Sequence, residues 1–334
     1  MMNDPPEPIE PRPANAASES EAPASFNVPE HDLLRVIGRG SSGEVWLARN
    51  TLGTCRAVKI VPRRLFKQQR PYQNELNAIL KFEPVSRAHD GLVDVLQVGC
   101  NEAEEYFYYV MELADDVAGG QEIDPANYLP RTLGYDKERL GRLPVEDCAR
   151  YGAAIASAVN FLHQHGLMHR DLKPSNIIFV NGAPKLADIG LLTDVVGTAS
   201  YSGTEGFMPP EGSGTVRADV YSLGKVLYEI STGKDRNDYP ELPEDLLAGW
   251  EGPDMVRLNK IIVKACRAKP WERYQTAEEM VGALSSFKFA GERVRQRKRR
   301  QLLTRVSIIG GALIGAGLLG ALLWRIVWLS NQTK

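Results

Sequence analysis

His169-Arg170-Asp171-Leu172-Lys173-Pro174-Ser175-Asn176 sets a carboxylate, an ammonium and an amide within eight residues. Each answers a separate need of phosphate chemistry. Asp171 offers an acceptor for a hydroxyl proton, Lys173 a point charge for a phosphoryl group in transit, and Asn176 a neutral oxygen for Mg²⁺, which takes hard oxygen ligands. Such a cluster needs a phosphate cradle and a second metal-binding acid elsewhere in the chain. Upstream, 33–37 and 45–48 read as short strands around Gly38-Arg39-Gly40-Ser41-Ser42-Gly43-Glu44. Glycines there let the backbone approach a polyphosphate and present its amides, which a Cβ would obstruct. Ala57-Val58-Lys59-Ile60 reads as a third strand carrying one cation in an apolar run. Downstream, Ile177-Ile178-Phe179 and Pro184-Lys185-Leu186 read as a strand pair, and Asp188-Ile189-Gly190 places the second acid twelve residues after Asn176.

In this order the motifs resemble those of the protein kinase superfamily, over about residues 32 to 289. The resemblance implies an α+β, bilobal fold, with a small β-rich lobe over 32–113 and a large, mainly helical lobe over 114–289. It makes Asp171 the base, puts Lys173 on the phosphoryl group and assigns Asn176 and Asp188 to Mg²⁺, with Mn²⁺ admitted by the same ligands. ATP is the nucleotide, held by Ile37, Gly38, Arg39, Gly40, Ser41, Ser42, Gly43, Val45, Ala57 and Lys59. The segment 68–82 has helical periodicity through Leu76, Ile79 and Leu80, with Glu75 on a different face. It resembles the small-lobe regulatory helix, whose acid pairs with the strand lysine. Glu75 matches that acid; Glu83, at the Pro84 break, is the alternative. Further strands are expected over 92–98 and 106–112, with Met111 at the gate beside the adenine and Glu112 and Leu113 lending backbone groups to its edge.

A long buried helix is expected over 144–165, ahead of the catalytic loop. Gly203 to Glu211 resembles the substrate-binding loop, with Thr204 in it, Pro209 replacing the usual alanine, and Glu211 requiring a cation, for which Arg273 is the family's candidate. Asp219 resembles the acid that holds the catalytic-loop backbone. Isoleucine at 189 replaces the usual phenylalanine and leaves the metal-binding charge intact. Arg170 beside the base suits a phosphate on the following loop, where Thr193, Thr198, Ser200 and Ser202 are the candidate sites. Lys173 and the Gly203-Thr204 pair favour protein serine and threonine hydroxyls as acceptors. A pseudokinase or nucleotide-binding scaffold is the competing class, and it typically lacks one of these charges; this chain has them all. A small-molecule phosphotransferase is disfavoured by the Gly203 to Glu211 segment, which would grip a peptide.

The 334 residues are 43% hydrophobic and suffice for one large core or two lobes. The scattered Cys55, Cys100, Cys148 and Cys266 form no C-x-x-C pair, which suits a reducing cytosol. Residues 293–305 hold seven Lys and Arg and no acid, so a net charge of −2 leaves −9 for the rest and argues against nucleic acid as a partner. Residues 1–27, rich in Pro, Glu, Ala and Ser, read as a disordered tail without the features of a secretory signal. Residues 115–143 depart from a minimal kinase and carry no evident physical role. After a basic linker at 290–305, the stretch 306–324 is uncharged and apolar but for Ser307, and at roughly 1.5 Å per residue it matches the hydrocarbon of a bilayer. The chain thus resembles bacterial Hanks-type kinases with a C-terminal membrane anchor. The basic run sets the kinase domain in the cytoplasm, facing a bacterial inner membrane, and leaves 325–334 as a short outer tail. Gly311 and Gly315, then Ala316 and Gly320, have the small-residue spacing that lets two membrane helices pair into a homodimer.

Overall fold

The computed structural model describes residues 26–188, 203–248 and 252–286, together with the backbone of 193–194. Five antiparallel strands form the small lobe's sheet: β1 (His31–Gly40), β2 (Gly43–Asn50), β3 (Cys55–Pro62), β4 (Val95–Asn101) and β5 (Tyr106–Met111), in the order β1-β2-β3-β5-β4. β3 is central and almost wholly buried, so it can fix a charged side chain inside the molecule. β4 starts later than the apolar run 92–98 suggests. Leu92 and Val93 are drawn instead to the large lobe, where Leu92 bridges Leu186 and the Val93 amide donates to the Leu186 carbonyl.

Helix α1 (Gln69–Ser86) packs on the sheet with Glu75, Ala78, Ile79, Phe82 and Ser86 buried, a spacing of three and four residues. This corrects the face assignment: Glu75 lies on the buried stripe, and Leu80 is the residue left 52% exposed. Pro84 does not end the helix either. It sits in the last turn, where a missing N–H costs a single backbone bond. At the sheet's outer face, Phe26 packs edge-on against Tyr106 at 5.1 Å, and the Tyr106 hydroxyl bonds both the amide and the carbonyl of Asn27. These two residues, given to the tail 1–27 by composition, therefore belong to the packed lobe.

The large lobe comprises α2 (Leu133–Leu140), α3 (Val145–Gln164), β6 (Leu167–Met168), β7 (Ile177–Val180), β8 (Ala183–Leu186), β9 (Thr193–Asp194), α4 (Val216–Thr232), α5 (Glu244–Ala248), α6 (Gly252–Ala265) and α7 (Ala277–Ser285). The long α3 is the expected buried helix, contributing Cys148, Ile155, Ala156, Val159 and Leu162 to the core. It approaches α4 so closely that a Cβ on Gly152 would stand 2.8 Å from Leu227 Cδ2. β7 pairs with β8, and β6 with β9, and these two ribbons carry the catalytic segments between them.

Among the described residues no helix is long and apolar enough to cross a membrane. The stretches 290–305, 306–324 and 325–334, and the side chains of Thr193, Thr198, Ser200 and Ser202, lie outside those described.

Candidate active site

The loop after β6 is set by one buried acid. Asp219, in the first turn of α4, accepts the amides of His169 (2.9 Å) and Arg170 (2.8 Å) and pairs with His163 Nε2 at 2.9 Å. Burial alone would raise its pKa, but these bonds hold the carboxyl below its usual range, so it remains an anion in the core. Arg170 is thereby fixed at φ 68°, a left-handed backbone that a non-glycine residue keeps only when its surroundings impose it. That turn swings Asp171 towards the cleft.

Both Asp171 oxygens are engaged. Oδ1 accepts the amide (2.9 Å) and hydroxyl (2.7 Å) of Thr204; Oδ2 meets Lys173 Nζ at 2.7 Å and Asn176 Nδ2 at 3.0 Å. Lys173 Nζ also donates to Thr204 Oγ1 at 2.9 Å, closing a ring between the catalytic loop and the Gly203 to Glu211 segment. Burial pushes the Asp171 carboxyl up, yet Lys173 and Thr204 outweigh it and the net shift is downward. Asn176 spends its NH₂ on Asp171, on the carbonyl as well as the side chain, which leaves its amide oxygen for a metal. Thr204, expected only as part of the Gly203 to Glu211 segment, thus touches Asp171 directly. Glu211 meets Arg273 through two bonds, at 2.5 and 2.8 Å, as the need to neutralise the acid required.

Across the cleft, Lys59 is 4% exposed. Its Nζ lies 2.7 Å from Asp188 Oδ1 and 3.9 Å from Glu75 Oε1, so the expected pair with Glu75 is present but looser than the contact with Asp188. Burial pulls the Lys59 pKa down; Tyr109, Asp188 and Glu75 more than reverse it. Asp188 is held below the carboxylate range, chiefly by Lys59. Glu75 behaves in the opposite way. Burial pushes it up to about 7, against the pull of Lys59 and a hydrogen bond from Ser42.

That inversion has a measurable consequence. A carboxyl with a raised folded-state pKa lets the folded protein bind its proton more tightly than the unfolded chain does. The associated stability is therefore full below about pH 4.5, the ordinary glutamate value, and is lost as pH rises to about 7. Glu75→Gln imitates the protonated form and escapes the loss. Chemical denaturation should find the variant more stable than wild type by about 2 to 4 kcal/mol at pH 8, with the gap closing towards pH 4.5. A gap that does not change with pH would show that Glu75 titrates normally.

Between the lobes lies a cavity of about 360 Å³. Every expected nucleotide-binding residue lines it except Ser41 and Ser42, which sit at the hairpin tip, Ser42 being turned to Glu75. Apolar walls from Ile37, Val45, Ala57 and Met111 suit a flat aromatic ring, and the carboxylate of Asp188 with the amide oxygen of Asn176 at the far end is a hard-oxygen pair fit for Mg²⁺. Among the wall residues that sequence reading missed are Ala114, Tyr128 and Ile178, with Tyr109, Pro130, Thr132, Ser175 and Ala187 beside them. Ala114 could have been found by continuing one residue past Leu113; Tyr128 sits in an insertion with no periodic signal.

The protein kinase domain model matches residues 31–245. A probable serine/threonine-protein kinase of Clostridium perfringens is 30% identical over 289 residues, covering 77% of this chain and 38% of its own length. Serine/threonine-protein kinase PknB of Mycobacterium tuberculosis is 32% identical over 276 residues, 75% of this chain and 41% of the relative. Serine/threonine-protein kinase PrkC of Bacillus subtilis is 28% identical over 293 residues, 80% and 42% respectively. The chain therefore spans about two fifths of the length of these curated relatives.

Proposed function

The chain belongs to the protein kinase domain family, and we propose that it is an active serine/threonine protein kinase, using ATP with Mg²⁺ to phosphorylate protein hydroxyls. The observation that carries this reading is the intact charge set around one cleft: Asp171 ringed by Lys173, Asn176 and Thr204, facing Lys59 and Asp188. A pseudokinase has no use for that set. ATP supplies the phosphoryl group, and Asn176 and Asp188 would hold the metal that neutralises its charge. Asp171 orients the acceptor hydroxyl and takes its proton; Lys173 stabilises charge near the phosphoryl oxygens; Lys59 anchors the nucleotide phosphates. Incubating the full chain with labelled ATP and Mg²⁺ and hydrolysing the product tests this reading. Phosphoserine or phosphothreonine is expected; nucleotide binding with no transfer would favour the scaffold.

Regulation by phosphate on the loop after Asp188 is part of the proposal. Arg170 is 7% exposed, its Nε has no hydrogen-bond partner among the described residues, and burial lowers its pKa, so an anion from the neighbouring loop would satisfy it. Mass spectrometry of the active enzyme should find phosphate between Thr193 and Ser202. A fully active enzyme with that loop unmodified would refute the switch.

We further propose that 306–324 anchors the chain in a bacterial inner membrane, with 290–305 and the kinase domain on the cytoplasmic side and two copies pairing through Gly311 and Gly315. The support is compositional: an uncharged apolar stretch of bilayer length behind a basic run. Pairing would raise the effective concentration of one kinase domain near another and so speed mutual phosphorylation. Replacing Gly311 and Gly315 by Ile keeps the stretch apolar and keeps helices apart. Autophosphorylation in liposomes at low protein density should fall several-fold for the double variant; an unchanged rate would leave the stretch as an anchor alone.

A further inference from the structure

The insertion that sequence reading could not interpret is a closed, bolted loop. Its ends meet where Asp116 bridges Pro130, the Val117 amide donates to the Leu129 carbonyl and the Arg131 amide donates to the Asp115 carbonyl. Inside, the Asp116 carboxylate accepts the amides of Ala118, Gly119 and Leu129 at 2.7 to 2.9 Å. It is fastened below by the Asp115 carboxylate, which takes the amides of Asn181 (2.9 Å) and Gly182 (2.8 Å) in the turn between β7 and β8, and by backbone bonds from the Asp115 amide to the Phe179 carbonyl and from the Phe179 amide to the Arg131 carbonyl. At the hinge, the hydroxyl of Tyr128, a 2% exposed side chain on the cavity wall, donates to the Ala114 carbonyl at 3.1 Å.

From this base the loop reaches up to the other lobe. Arg35, on β1, donates from Nε to the Pro125 carbonyl at 2.9 Å and from a second guanidinium nitrogen to the Tyr128 carbonyl. The point of attachment matters. The β1–β2 ladder is irregular on both sides of the paired Arg35 and Val36, between Leu33 and Arg35 and between Val36 and Gly38, so the loop grips β1 on a short paired step flanked by two breaks in register. Ile37 and Gly38, the next residues, roof the cavity. A guanidinium bound to two carbonyls of the large lobe therefore adds a direct tie between the lobes to the β1–β2 ladder that already holds the strand.

We propose that residues 115–132 form an interlobe clasp that sets how long nucleotide stays bound, with Arg35 and Tyr128 as its positioning residues. The inference rests on the kinase reading of the cavity. Lifting β1 opens the route by which product leaves, while the groups around Asp171 are untouched. Loss of the clasp thus changes nucleotide retention rather than the chemical step.

Stopped-flow displacement of a fluorescent ADP analogue from the full chain tests it. Arg35→Ala, which removes two charge-assisted bonds, should speed dissociation about tenfold and raise KM for ATP in step, with kcat within about twofold of wild type. Tyr128→Phe keeps the ring and removes one neutral bond, so an increase of about threefold is expected; Arg35→Lys, able to serve one carbonyl, should fall between. A clasp that merely stabilised the fold would lower the melting temperature and leave dissociation unchanged. Dissociation within twofold of wild type in folded Tyr128→Phe and Arg35→Lys overturns the clasp, whether or not Arg35→Ala folds. Failure of the unaltered chain to bind the analogue at all overturns the kinase reading itself, and the clasp with it.

Discussion

Asp171→Asn is expected to slow phosphoryl transfer at saturating ATP by at least about 100-fold and to leave nucleotide affinity near wild type. The two halves of this expectation have separate grounds. Asp171 does not line the cavity, although its partners Lys173 and Asn176 do, so the change is expected to act on transfer far more than on nucleotide affinity. On the chemical side, the amide cannot take the acceptor's proton, and it also disturbs the ring that orients the side chain. The carboxylate meets four donors: the Thr204 amide and hydroxyl on one oxygen, Lys173 and Asn176 on the other. An asparagine has one acceptor oxygen, so its NH₂ must face one of these donor pairs, and that side of the ring opens. Single-turnover transfer and equilibrium binding of an ATP analogue separate the two effects. Transfer at the wild-type rate would remove Asp171 from the role of base.

Legibility in the sequence tracked the kind of force that holds each part. The strands of the small lobe followed from short apolar runs and the glycine-rich turn between the first two, although β3 and β5 are buried on both faces and show no alternation. Glu75 was read as the partner of Lys59, which it approaches to 3.9 Å, but on a face that the helix in fact turns inward. The run Leu76, Ile79 and Leu80 suggests one apolar stripe, but packing against the sheet selects Ala78, Ile79 and Phe82, and the smaller alanine lets the helix come close enough to bury the acid. No spacing rule could have revealed that Lys59 sits nearer Asp188 than Glu75, because three charges converge there from β3, α1 and the segment after β8. The loop 115–132 was opaque for another reason. Its shape comes from side-chain-to-backbone bonds made by Asp115 and Asp116, which leave no hydrophobic period to read.

Lys59→Met should cost about 10²- to 10³-fold in phosphoryl transfer, the range for losing one preorganised donor at a developing charge. The fold should tolerate the change. Methionine has a similar unbranched stem, and β3 keeps its backbone ladders to β2 and β5 on either side. What goes is a buried cation that faces two carboxylates, at 2.7 Å and 3.9 Å, of which Glu75 is buried with it and Asp188 opens to the cleft. Without it, Asp188 loses the partner that holds its carboxyl ionised, and Glu75, already pushed up to about 7, has no counter-charge left to keep it an anion. The residue's shape matters as much as its charge. Lys59→Arg restores a cation, yet a planar guanidinium on a longer reach does not fit a buried slot built for a compact ammonium, so it should rescue transfer by less than about tenfold. Transfer assays on both variants, beside melting curves that confirm folding, decide the matter. Full activity in Lys59→Met would make this lysine a structural cation only, and full rescue by Lys59→Arg would show that charge alone, without geometry, anchors the phosphates.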